Sequence, residues 1–171
     1  MKNRRVFVVL AMLLAAGCAQ PGSKVPAMTH WDYSPPLRGD GMHIALINAA
    51  GEQNALQLYC HEPSKDLVLQ VAPSGIAGGA SEQTLSFAYD GGPPELQHWQ
   101  ADMYEGRFLD FSLAREEPGF DAVIRALKSH RSVALEIATS GKVVRRDTFS
   151  LDRAAEMIDR VLAVCGHPVP A

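Results

Sequence analysis

The feature that most restricts how this chain can fold is a strict two-residue alternation that recurs in consecutive segments. In "NALQLYCHE" (54–62), Leu56, Leu58 and Cys60 share one face, and Gln57, Tyr59 and His61 share the other. "KDLVLQVA" (65–72) sets Leu67, Leu69 and Val71 together, and "QTLSFAYDGG" (83–92) does the same with Leu85, Phe87 and Tyr89. A side chain that alternates sides at every residue belongs to a strand with one face buried. Glycine- and proline-rich turns close these segments, so neighbours in sequence are expected to pair antiparallel. "LQHWQADMY" (96–104) and "RFLDFSL" (107–113) read as a hairpin about Glu105–Gly106. "SVALEIAT" (132–139) and "KVVRRDTFSL" (142–151) read as another about Ser140–Gly141. "MHIALINAA" (42–50) is almost continuously apolar and reads as a well-buried strand.

Two segments change to helical period. In "PGFDAVIRALKSH" (118–130), Phe120, Val123, Ile124 and Leu127 fall at i, i+3, i+4 and i+7. In "LDRAAEMIDRVLAVC" (151–165), Leu151, Ala154, Ala155, Ile158, Val161, Leu162 and Cys165 form one stripe. Ser150 is placed to cap this second helix, and Gly166 and Pro168 to stop it. The expected class is α+β: an antiparallel sheet of about eight strands, with two amphipathic helices burying their stripes on it.

The first residues follow a different logic. Lys2, Arg4 and Arg5 precede an uncharged run from Val6 to Ala16, which is too short to span a bilayer. A basic start, a short apolar run and small residues before Cys18 describe a secretory signal. "LAAGC" (14–18) resembles the bacterial lipoprotein signal, in which the cysteine becomes the acylated first residue of the mature chain. The resemblance covers residues 1–18; Ala15 departs from the leucine most often found at that position. It implies lipidation at Cys18 and attachment to the membrane through lipid. Ala19, in place of an aspartate, implies delivery to the outer membrane, facing the periplasm. Residues 1–17 are then a signal peptide, 18–30 a flexible tether rich in proline and small residues, and 31–171 one folded domain. Loss of residues 1–17 removes three of the 16 basic residues and none of the 19 acidic ones, so the formal charge moves from −3 to −6. An acidic domain is a poor partner for nucleic acid.

Besides Cys18, the chain carries Cys60 and Cys165, each on the apolar face of its own segment. An oxidising compartment and an even count make a disulfide between them the simplest reading, pinning the last helix to the sheet. Two buried thiols are the alternative. "FSLDRAAEMIDRVLAVC" (149–165) is similar to the endings of small proteobacterial periplasmic proteins of the invasion-associated-locus-B type, which agrees with that compartment.

Chemistry is harder to find. The six histidines stand at 30, 43, 61, 98, 130 and 167, with no two at metal-ligand spacing on one element, so no metal or other cofactor is expected. There is no Gly-x-Ser-x-Gly, no Ser-x-x-Lys and no phosphate-binding loop. The carboxylate pairs Glu116–Glu117 and Asp102 with Glu105 stand beside turns. The triplet Arg38–Gly39–Asp40 reads as turn chemistry. "YDGGPPE" (89–95) is the best loop for a partner to grip, through Asp90, Gly91 and Gly92. Trp99, flanked by polar residues, reads either as an exposed contact or as a tryptophan half-buried at a sheet edge. Three functions fit these residues: a non-enzymatic envelope accessory module with a protein partner, a small periplasmic inhibitor or ligand binder, and an enzyme assembled from residues distant in sequence.

Overall fold

A computed structural model describes residues 28–37, 39–49, 54–73, 76 and 82–167. Cys18 and most of the tether lie outside the described residues, as does Arg38. In chain order the elements are β1 (Asp32–Ser34), β2 (Met42–Asn48), β3 (Ala55–His61), β4 (Asp66–Ala72), β5 (Glu82–Tyr89), β6 (Glu95–Tyr104), β7 (Arg107–Ala114), α1 (Phe120–Ser129), β8 (Ser132–Thr139), β9 (Lys142–Ser150) and α2 (Ala154–Cys165). The class is α+β as expected. The described strands number nine rather than about eight and form one antiparallel sheet in the order β1-β2-β3-β4-β7-β6-β5-β8-β9. The ninth is β1, a three-residue piece with too little sequence to show a period; it pairs Tyr33 with Ala45 and Ser34 with Ile44.

The alternation sorts the sheet into a dry face and a wet one. Leu56, Leu58 and Cys60 of β3, Leu67, Leu69 and Val71 of β4, Leu85 and Phe87 of β5, and Val133, Leu135 and Ile137 of β8 are all buried on one side. Two hairpin turns use adjacent residues with positive φ, Glu105–Gly106 (49° and 74°) and Ser140–Gly141 (53° and 76°), the backbone that matches strand twist. Asp90–Gly91 (50° and 75°) forms a third, closed by the Gly92 amide donating to the Tyr89 carbonyl at 2.8 Å.

Helix α2 lays Ala154, Met157, Ile158, Val161, Leu162 and Cys165 on β2, β3 and β4. Helix α1 buries Phe120, Val123, Ile124 and Leu127 and packs beside α2, with Lys128 and Asp159 joined at 2.7 Å. Ser150 does not cap α2 as its position suggests. Its hydroxyl accepts from the Asp152 amide at 3.2 Å, ordering the turn before the helix, while Arg153 occupies the cap position with φ 59°. At the other end, Lys65 Nζ donates to the Val164 carbonyl at 2.9 Å and places a cation at the negative helix terminus.

The sheet curls until its two ends meet. The Trp31 amide donates to the Asp152 carbonyl at 2.9 Å and its indole Nε1 to the Ser150 carbonyl at 3.1 Å. Asn54 donates to the Asp147 carboxylate at 2.9 Å in the same buried region.

Candidate functional site

Cys60 and Cys165 form a disulfide with Cα atoms 5.9 Å apart, joining the end of β3 to the last residue of α2. Both are buried, at 0% and 3% exposure, so the bridge is structural rather than a redox-active pair open to solvent. It ties the C-terminal half of α2 to the sheet.

The turn after β5 is exposed and held from below. Asp90 Oδ1 accepts from the amides of Arg131 and Ser132, each at 2.9 Å, and from the Ser132 hydroxyl at 3.3 Å. Its Oδ2 lies 3.0 Å from His130 Nδ1. The His130 ring stacks on Tyr89 at 5.0 Å. The His130 hydrogen bond, and next the Arg131 amide, hold the Asp90 carboxyl below its ordinary range. Asp90 is therefore the anchor of the turn. Gly91, Gly92, Pro93 and Pro94 lie above it in solvent, followed by Leu96, which is 66% exposed.

Trp99 is no exposed contact and no half-buried edge residue. It is 1% exposed, faces the core and stacks on Phe87 at 5.4 Å. Its polar neighbours mislead because the segment before α1 roofs this end of β6. Gly119 comes so close that a Cβ there would stand 2.8 Å from Gln97 Oε1. A groove of about 310 Å³ remains between the two, lined by Leu96, His98, Trp99, Gln100, Glu117 and Pro118. The exposed turn and this groove are continuous through Leu96.

Two polar groups escape the sequence reading, since each is assembled from elements that are separate in the chain. On the wet face, Asp102 of β6 pairs directly opposite Asp110 of β7. Burial and the charge of Asp102 push the Asp110 carboxyl above its ordinary range, against a hydrogen bond from Gln70. Burial, then Asp110, Asp66 and Asp102, push the nearby Tyr59 phenol up as well. Among the described residues, no group of three or more His, Cys, Asp or Glu is placed to hold a metal ion.

The second group stands where β1, β2 and α2 meet. Tyr33 pairs with Ala45, so its side chain lies diagonal to His43 on the same face of β2. Tyr33 Oη is 2.5 Å from His43 Nδ1, and His43 Nε2 is 3.3 Å from Glu62 Oε2. Glu62 is delivered by the turn after β3, whose amide donates to the Gly41 carbonyl at 2.8 Å. Gly41 has φ 73°, and a Cβ there would meet Pro63 at 2.7 Å, so this approach requires glycine. The Arg160 guanidinium of α2 lies 3.9 Å over the Tyr33 ring. A sequence signal for this chain of contacts would have been the odd His43 on an otherwise apolar strand face.

Comparison with protein-family models, with curated proteins and with solved structures gives no match, so any assignment rests on the residues and geometry described above.

Proposed function

We propose that this chain is a lipid-anchored protein of the bacterial envelope whose folded domain is a non-enzymatic interaction module, and that the turn at 90–96 is the surface a partner protein grips. The observation that carries the reading is the turn itself: an exposed Gly-Gly-Pro-Pro segment fixed at its base by Asp90 and leading through Leu96 into a groove. A pre-ordered loop loses little entropy on binding, and an exposed leucine beside a groove gives a partner apolar area to cover. The anchor rests on the residues around Cys18, the acidic domain and the tether. Acylation with more than one chain holds a protein stably at a membrane.

A photo-crosslinking amino acid at position 96 is expected to capture a discrete envelope protein from intact cells. The same group at Lys142, at the start of β9, is expected to capture none. Equal capture at both positions would remove the turn from the interface. In parallel, Cys18→Ser is expected to move the protein out of the membrane fraction, and unchanged fractionation would overturn the anchor. The stiffness of Pro93–Pro94 also suits an inhibitor that blocks an envelope enzyme. That second reading requires the captured partner to be an enzyme whose activity falls on addition of the purified domain.

A further inference from the structure

Separately from the partner surface at 90–96, we propose that Tyr33 is a nucleophilic phenol, with His43 as its general base, placed to be modified once, without turnover, by anionic phosphoryl or sulfonyl electrophiles held by Arg160. A carboxylate at this position accepts hydrogen bonds, so the proton between His43 and Glu62 belongs to Nε2 of the imidazole. Nδ1 is then the lone-pair nitrogen, and the Tyr33 hydroxyl donates to it across 2.5 Å. Nucleophile, base and an acidic group that orients the base thus stand in one line, which is how side-chain nucleophiles are activated. In the step itself, a lone pair on Tyr33 Oη forms a bond to phosphorus or sulfur. The bond to the leaving group breaks, and that group departs with its electron pair. The phenolic proton passes to His43 Nδ1, and Glu62 stabilises the resulting imidazolium.

The surroundings select the electrophile. Arg160 is exposed, and its guanidinium packs over the ring of the attacking residue. Its planar N–H fork suits the oxygens of a tetrahedral anion. His43 is largely shielded, with 13% of its side chain exposed, whereas the Glu62 side chain is 55% exposed. The disulfide holds α2 against β3, and His43 lies opposite Cys60 in the strand register, so one covalent link fixes both sides of the site. Tyr59 and Tyr89 offer an internal comparison. Burial pushes both phenols up, and among the described residues neither hydroxyl is bonded to a histidine.

The test is covalent labelling of the purified full-length protein with 4-(fluorosulfonyl)benzoate, an anionic sulfonyl fluoride, read by peptide mass mapping. Uncharged phenylmethanesulfonyl fluoride serves as the second probe. Tyr33 is expected to react at least about tenfold faster than Tyr59 or Tyr89, and His43→Phe to slow it by about a hundredfold, within the usual range for loss of a general base. Arg160→Gln is expected to slow the anionic probe and leave the uncharged one unchanged. Glu62→Gln, at an exposed position, is expected to slow both with the circular dichroism spectrum intact. Labelling of Tyr33 no faster than the other two tyrosines overturns the proposal. So does an unchanged rate in His43→Phe, or in Glu62→Gln where the histidine variant does not fold.

Discussion

At the scale of single residues, the carboxylates of Asp90 and Asp110 respond to pH in opposite directions. Asp90 is held below its ordinary range by His130 and the Arg131 amide. The folded state therefore binds its proton more weakly than the unfolded chain does. Its stabilisation is complete above the ordinary aspartate value of about 4 and is lost as pH falls toward the depressed one. Asp90→Asn is expected to lower the melting temperature at pH 6, with the gap narrowing as pH falls below about 4; a gap independent of pH would overturn this assignment. Asp110 is pushed up by burial and by Asp102, so it weakens the fold progressively as pH rises from the ordinary aspartate value of about 4 through its raised folded one. Asp110→Asn is expected to raise the melting temperature at pH 7 and leave it unchanged below about pH 3, where both states are protonated. Neither role shows in sequence. Asp90 sits in a glycine turn like any turn aspartate, and Asp110 faces Asp102 only once β6 and β7 pair. Trp99 shows the converse problem: its neighbours Gln97 and His98 are polar, yet the roof over β6 arrives from residues about twenty positions later.

At the scale of elements, the stripe of α1 was fully legible. Phe120, Val123, Ile124 and Leu127 repeat at the helical period and are the buried residues of that helix. The stripe of α2 was legible except that Met157 is buried and Ala155 is only partly so, because α2 packs both on the sheet and beside α1. Periodicity could not reveal that Lys65, from a turn about 100 residues earlier, would supply the cation at its C-terminus. The disulfide was legible as a pairing, and its energetics follow from separation. It closes 105 residues, for which chain entropy gives about 4–5 kcal/mol. Replacing both cysteines with alanine is expected to cost about 2–5 kcal/mol in urea denaturation. A loss below about 1 kcal/mol would mean that apolar packing alone holds α2 on β3.

At the scale of the whole molecule, the curl of the sheet has one small fastener. Trp31 is fully buried and is bonded twice where β9 runs into the turn before α2, through its indole to Ser150 and its amide to Asp152. The three residues of β1 cannot say in sequence which edge they close. The position matters because Trp31 is among the first described residues, three after Met28, which also packs on the core. With the anchor at Cys18, as proposed, thirteen residues separate the lipid from Trp31, a reach of at most about 45 Å. Any pull from the membrane would then act on the seam before it reaches the central strands. Trp31→Ala removes a buried indole and leaves the Ser150 carbonyl without its Nε1 donor, and is expected to cost about 3–5 kcal/mol. Trp31→Phe keeps most of the packing and is expected to cost about 1–2 kcal/mol, mainly the lost hydrogen bond to Ser150. Amide hydrogen exchange separates a local fastener from a general core residue. In Trp31→Phe, amides of β1 and of residues 151–154 should exchange faster while those where β5 meets β8 keep their protection. Uniform acceleration across the sheet would show that the seam opens only when the whole domain unfolds.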